Sequence, residues 1–481
     1  MGKDNQGDFK PSDLLIKYFP FSPTAGQMTF FRKMDEFLKS DASEKPTFVL
    51  KGYAGTGKTS LISALVKVLP RMNMRSLLLA PTGRAAKVMS NYSGRGAYTV
   101  HKIIYKPKGD PGTMGGGFIL QKNYYKDTLF IVDESSMLSD DGSMSGNLLW
   151  DLIQFVFSGS DNRLLLVGDT AQLPPVGSEY SPALDSGYLL RHFRLQAGQT
   201  ELTEVMRQRL ESGILFNATH LRQELAGDEF QIQIYTAGFR DIFKMTSERL
   251  EDGLRYAYDK FGTENTTIVT RSNKAAVQYN QYIRRVIHFY EEEISTGDLL
   301  MIVKNNYTYM AESDKVNFLA NGDMVEVMKI RRFEEMYGFR FATLELRLLD
   351  YPSEPFFEAK VILDTLYSST PSLSREEYRK LYDQVSEDYA DVANKTERME
   401  LIRKDPYLNA LQIKFAYALT CHKAQGGQWS AVFVDQGYLQ EEKVDRDFLR
   451  WLYTAMTRAT EELYLVNFAP GFFSSVKKEI E

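Results

Sequence analysis

The sequence predicts an α/β fold of more than one domain, with parallel sheets flanked by helices and a smaller β-rich insertion. Three observations predict it. Apolar runs of strand length at Thr47–Leu50, Leu77–Ala80, Leu129–Val132 and Leu164–Val167 each end in a glycine-rich or polar turn, the pattern of strands buried on both faces of a parallel sheet. The first and second of these turns lead into helical patterns, as in Leu61, Ile62, Leu65, Val66 and Leu69. Between Thr296 and Asn409 the pattern changes: Gly297–Val303, Gly322–Met328, Phe341–Leu349 and Lys360–Leu363 read as short strands. A length of 481 residues is also too great for one hydrophobic core.

Composition sets bounds. Hydrophobic residues make up 43% and charged residues 25%, ordinary for a soluble globular protein. The formal charge of −5 neither suggests nor excludes nucleic acid, because the local field at a groove decides that. A single cysteine, Cys421, precludes an intrachain disulfide and points to a reducing compartment. The five histidines are scattered, which argues against a zinc cluster. No apolar run approaches the ~20 residues of a membrane span. The first residues lack the apolar core of a signal peptide, and Gln6 fails the myristoylation pattern. The expectation is a cytoplasmic protein without a membrane anchor.

The first strand leads into Gly52-Tyr53-Ala54-Gly55-Thr56-Gly57-Lys58-Thr59 and then a helix. Strand, glycine-rich loop and helix together are the context that a phosphate-binding loop requires. Gly52, Gly55 and Gly57 let the backbone curl so that N–H groups converge on phosphate oxygens, beside the positive end of the following helix. Lys58 can reach the β- and γ-phosphates and the Thr59 hydroxyl can ligand Mg²⁺. Thr56 and Ser60 complete the candidate nucleotide contacts on this loop. Gln27, ahead of the loop, could read an adenine edge through its amide, or could simply start a helix.

Further along, Asp133 and Glu134 follow the third strand, at the end where open α/β sheets bind ligands. Asp133 can hold Mg²⁺, and Glu134 can orient or deprotonate the attacking water. From Arg84 to Lys126 eight basic residues face one acidic residue, Asp110, with Tyr92, Tyr98, Tyr105, Phe118, Tyr124 and Tyr125 interleaved. Cations for phosphates and rings for bases suit a single-strand groove, although a solvated basic face over core aromatics gives the same pattern. Ile103–Tyr105 and Phe118–Leu120 flank a Gly/Pro-rich tip and read as a β-hairpin within 103–127. Ser374–Lys404 reads as a charged amphipathic helix or helix pair whose apolar face packs on its own domain.

The segments GYAGTGKT (52–59), LLLAPTGRAAKVM (77–89), TVHK (99–102), IVDESSM (131–137) and VGDTAQLPPVG (167–177) resemble motifs I, Ia, Ic, II and III of superfamily 1 helicases, in the RecD-like and Dda-like branch. Leu202–Gln208 resembles motif IV, Phe415–Val434 motif V and Trp451–Thr460 motif VI; with Gln27, nine segments follow in the family order. The resemblance implies two RecA-like P-loop NTPase cores, residues 1–200 for the first and 201–295 with 410–481 for the second. It also implies a β-hairpin insertion in the first and, at 296–409, an SH3-like β insertion plus helical extension in the second.

The resemblance assigns catalytic roles to Lys58, Glu134, Gln172, Arg207 and Arg458, the two arginines reaching the γ-phosphate from the second core. Gly427 falls near the nucleotide, and Gln428 stands where relatives often carry an acidic or hydroxyl residue. Strand contacts are implied at Pro81, Thr82, His101, Thr420, His422 and Lys423; on their own, the two histidines would be ordinary buried ones. Pro107 and Phe118 are the expected tips of a duplex-splitting wedge. The implied activity is ATP- and Mg²⁺-dependent unwinding of tailed or forked duplex, 5′ to 3′ along single-stranded DNA, by a monomer. The short stretch before Gln27 suggests a free-standing enzyme. The alternatives are a nucleotide-gated DNA clamp or assembly subunit without unwinding, and a P-loop kinase or GTPase, which leaves 415–460 without a use.

Overall fold

In the computed structural model the described residues are 10–107, 118–140, 147–205, 211–227, 230–306, 308–310, 318–351, 353–437 and 444–474. The first sheet contains β1 (Thr47–Gly52), β2 (Arg75–Ala80) and β3 (Ala97–Thr99). A two-stranded ribbon follows, β4 (Tyr105–Pro107) and β5 (Phe118–Leu120); β6 (Thr128–Val132), β7 (Arg163–Gly168) and β8 (Gly198–Leu202) then complete the sheet. Its order is β3-β2-β6-β7-β1-β8, parallel throughout. Alternation along each strand explains the fold. Leu50, Leu78, Ile131 and Leu165 face one apolar layer, and Val49, Leu79, Phe130 and Leu164 face the other. Both faces are therefore covered, and the runs read as continuous rather than alternating.

The second sheet also runs parallel, in the order β16 (Ala418–Thr420), β10 (Thr266–Thr270), β17 (Trp429–Asp435), β18 (Ala459–Val466) and β9 (Ile242–Met245). Between β10 and β16 the chain builds a closed barrel from β11 (Leu299–Ile302), β12 (Met324–Met336), β13 (Phe339–Leu348), β14 (Phe357–Ile362) and β15 (Leu411–Phe415). Tyr337 and Gly338 turn β12 into β13 with φ of +55° and +69°, the left-handed pair of a tight hairpin turn. Helices Arg375–Asp388 and Lys395–Lys404 then bury Leu381, Val385 and Ile402 against Phe339, Phe341 and Ile362 of the barrel. Ser374 and Glu377 form a capping box at the start of the first of these helices.

Several expected boundaries move, each for a pairing reason. β8 hydrogen-bonds β1 from Gly198 to Leu202, so the first sheet continues past residue 200. β15 pairs with both β11 and β14, so the barrel closes only at Phe415 and not at 409. Val100–Ile104 is a short helix capped by Thr99, so the ribbon begins at Tyr105 rather than Ile103. The tip of that ribbon, 108–117, lies outside the described residues.

Where the chain enters and leaves the barrel, Arg284 makes two charge-assisted bonds to Asp298, Nε to Oδ1 at 2.8 Å and Nη2 to Oδ2 at 2.9 Å. The Tyr417 hydroxyl donates to the same carboxylate at 2.9 Å, joining both connections at one buried point. The barrel also touches the first core. A Cβ on Gly83, in the first turn of helix Gly83–Ser93, would stand 2.5 Å from Asp323 Oδ1, so a larger residue there would have to displace that carboxyl. Lys87 donates to Leu349 O at 2.7 Å and lies 3.5 Å from the buried Asp350.

Burial pushes the Asp323 carboxyl up to about 7, Asp350 adding to the shift while the Ala320 N–H and Lys102 oppose it. A carboxyl raised in the folded state stabilises most below its unfolded pKa near 4, and that contribution is lost as pH climbs through 7. Asp323→Asn should therefore flatten the fall in Tm between pH 5 and pH 8. It should raise stability at pH 8 by a few kcal/mol at most, at ~1.4 kcal/mol per pKa unit. Equal pH dependence of wild type and variant in differential scanning calorimetry would show that Asp323 does not set it.

Candidate nucleotide and strand-binding site

The phosphate loop leaves β1 and passes through Gly55 and Gly57 at φ of +77° and +88° into helix Lys58–Val68. Thr56 turns its hydroxyl inward to Tyr53 O at 2.8 Å, which shapes the loop. Lys58 Nζ is held by the carbonyls of Gly52 and Tyr53 at the loop mouth. Thr59 and Ser60 follow on the first turn, Thr59 exposed. The Gln27 amide is engaged on both sides: Oε1 accepts Thr24 N–H at 3.0 Å in a capping box, and Nε2 donates to Thr56 O at 2.9 Å. Its visible work is thus to start a helix and to brace the loop, and the geometry gives no support to the expected reading of an adenine edge.

The β6 end brings Asp133 and Glu134 to the same edge of the sheet. Asp133 accepts the Tyr92 hydroxyl at 2.7 Å and the Glu134 N–H at 2.9 Å, fixing its rotamer. One hydroxyl and one carboxylate, Thr59 and Asp133, suit an ion such as Mg²⁺ that keeps waters and takes phosphate oxygens as its other ligands. Burial raises the Glu134 carboxyl above the usual range; Arg458 opposes the shift and Asp133 adds to it.

The second core supplies the opposite wall. Arg458, 4% exposed, places Nη1 3.7 Å from Glu134 Oε1. The guanidinium is held by Thr454 O, Gly427 O and the Thr457 hydroxyl at 3.0, 3.3 and 3.2 Å. Gly427 therefore serves the finger through its carbonyl. Gln172 meets Gln425 across the seam at 3.4 Å, and Gln425 also donates to Leu173 O at 3.0 Å. Arg207 lies outside the described residues.

The residues expected to hold a strand fall into two groups. Thr82 caps helix Gly83–Ser93 through Ala85 N–H and sits against Gly426, directly after Pro81. Two residues on, Arg84 lies 3.9 Å over the Trp429 ring and donates to Gln428 O at 3.2 Å. Motifs Ia and V are thus in contact. Thr420 ends β16, His422 is exposed, and Lys423 donates to Asn321 Oδ1 of the barrel. Burial lowers the Lys423 ammonium to about 8. His101 packs on Tyr105 with ring centroids 5.6 Å apart, and burial takes it down to about 4, so it is neutral at physiological pH. Pro107 pairs with Phe118 in the ribbon backbone; their side chains lie outside the described residues.

Sequence reasoning gave no role to Trp429, Asp169, Tyr453 and Thr454, and it counted Arg84 and Tyr92 only among the cations and rings of a basic stretch. Asp169 had a visible signal, a carboxylate ending a buried strand as Asp133 does. The others act between segments far apart in the chain.

Comparison with known proteins agrees with this geometry. Residues 34–237 match the AAA domain family, and residues 415–466 match the UvrD-like helicase C-terminal domain. The chain is 34% identical over 454 residues to the ATP-dependent RecD2 DNA helicase of Deinococcus radiodurans, covering 90% of this chain and 48% of that protein. It therefore spans about half the length of that relative. It is 22% identical over 472 residues to the ATP-dependent DNA helicase dda of Enterobacteria phage T4, covering 92% of this chain and 99% of the other. Among solved structures, the Pif1 helicase from Bacteroides in complex with ADP-AlF3 and ssDNA aligns with 95% of each chain at 14% identity and a TM-score of 0.49. With a phosphate loop, an acidic β6 turn and a motif VI arginine meeting at one seam, and both halves matched in sequence, the chain is similar to the superfamily 1 helicases of the RecD-like and Dda-like branch.

Proposed function

We propose that this chain is an ATP-dependent DNA helicase that moves 5′ to 3′ on single-stranded DNA and opens tailed or forked duplex as a monomer. The observation that carries the reading is Arg458 of the second core facing Glu134 of the first at 3.7 Å. A nucleotide bound on the Lys58 loop touches both cores, so its hydrolysis depends on their closure. Thr59 and Asp133 would hold Mg²⁺, which would neutralise charge on the phosphates. Glu134 orients and deprotonates the water, Lys58 and Arg458 stabilise the charge that develops, and Gln172 senses the phosphate from the seam. Arg207 is proposed as a second cation on the γ-phosphate.

Closure also brings Pro81 and Thr82 towards Thr420, His422 and Lys423, so alternating closure and opening ratchets the strand between two grips. The β4–β5 ribbon, with Pro107 and Phe118, is the proposed wedge. Stacking gives ~1–3 kcal/mol per base against a mean of ~1.4 kcal/mol per base-pair step, so one or two inserted side chains suffice to bias a fork.

Lys58→Ala and Glu134→Gln should each abolish strand-stimulated ATP hydrolysis, Glu134→Gln while still binding ATP. Arg458→Ala should lower it by ~10³–10⁵. Hydrolysis equally fast with and without a strand would refute coupling between the cores. Because Glu134 must be ionised to act and its carboxyl is raised in the free protein, the acid limb of the kcat/KM profile should lie above that of an ordinary carboxylate. On tailed duplexes, displacement is expected only with the 5′ tail. Hydrolysis without displacement on either tail would instead make the chain a nucleotide-gated clamp.

A further inference from the structure

The helix Arg446–Met456 ends close to Arg458 and docks on the first core through Arg450, which donates to Glu179 O at 2.7 Å, and through two consecutive side chains near its end. Tyr453, 1% exposed, donates its hydroxyl to Asp169 Oδ2 at 2.6 Å and accepts the Ala54 N–H of the phosphate loop at 2.9 Å. Asp169 is fully buried, and its other oxygen accepts Ala171 N–H at 2.9 Å. Next to it, the Thr454 hydroxyl accepts Leu173 N–H at 2.9 Å, while the Thr454 carbonyl receives Arg458 Nε. A buried carboxylate needs its donors, and here one donor comes from the other core. The same hydroxyl satisfies a backbone N–H inside the nucleotide loop. Tyr453 therefore ties the segment carrying Arg458 to two parts of the first core at once, the loop and the Asp169 turn.

We propose that Tyr453 is a positioning residue for hydrolysis, its hydroxyl bridging Ala54 N–H and Asp169 so that Arg458 is aligned on Glu134 when the cores close. The assignment rests on the role given above to Arg458. Tyr453 touches no reacting atom; it sets where the guanidinium stands relative to the Lys58 loop.

The test is a double-mutant cycle on the full chain, following steady-state ATP hydrolysis with and without oligothymidylate. Tyr453→Phe should lower kcat at least tenfold and change KM for ATP less than twofold. In an Arg458→Ala background the same substitution should cause no further loss, because the group it aligns is gone. An unchanged kcat in Tyr453→Phe overturns the proposal, as does an equal fold loss in both backgrounds, which would mark a general structural role. If Tyr453→Phe does not fold, judged by circular dichroism, Asp169→Asn enters the same cycle with the same expectation and the same overturning outcomes. Wild-type hydrolysis indifferent to the oligonucleotide would refute the motor reading instead, while the cycle on the basal rate still decides the role of Tyr453.

Discussion

The proposed motor depends on one charge pair made across a seam, Arg458 against Glu134. Neither core can make it alone. Two opposite charges brought together away from water interact far more strongly than at a wetted surface, and a buried carboxylate without its partner is costly. The seam is therefore either well formed or open, with little advantage in between. Such bistability lets a small event, the arrival or loss of a phosphate, become a movement of whole domains. The sheets supply the stiffness this requires. Both are parallel and covered on both faces, so each core moves as a body and the difference between states is concentrated at the contacts between them.

The first core was largely legible because its chemistry is local. Strand, loop and helix around Lys58 are contiguous, and their spacing carries the mechanism; Asp133 and Glu134 follow from the end of a buried strand in the same way. The barrel was legible only as a set of strands. Its closure through β15 depends on pairing with β11 and β14, far away in sequence, which no periodicity reports. The helix pair beyond it showed its apolar stripe, and Leu381 and Val385 occupy it as expected, but the surface it covers lies on β13 and β14.

The site residues that escaped sequence reasoning are inter-core partners. Tyr453 lies inside a recognisable motif, yet nothing local says that its hydroxyl reaches Asp169 and Ala54, hundreds of positions earlier. Arg84 looked like one more cation in a basic stretch; its place over Trp429 emerges only when the two cores meet. Gln27 is a residue whose type allows two uses. An amide can read a base edge, and it can equally cap a helix and brace a loop. The capping box with Thr24 and the bond to Thr56 O show the second use.

The segment from Gln425 to Trp429 explains how the seam and the strand grips can act together. Gln425 bonds Leu173 O and reaches Gln172, beside the nucleotide edge of the first core. Gly426 packs against Thr82, and Trp429 lies under Arg84, both on the motif Ia side. Arg458 donates to Gly427 O and accepts the Trp429 N–H through its own carbonyl at 3.0 Å, so the finger is fastened to this segment at two points. A displacement of Arg458 therefore cannot leave the residues that face the strand where they were. The proposed coupling needs no long relay: the five residues 425–429 touch both the Gln172–Leu173 edge and the Thr82–Arg84 turn, so a shift at one is felt at the other.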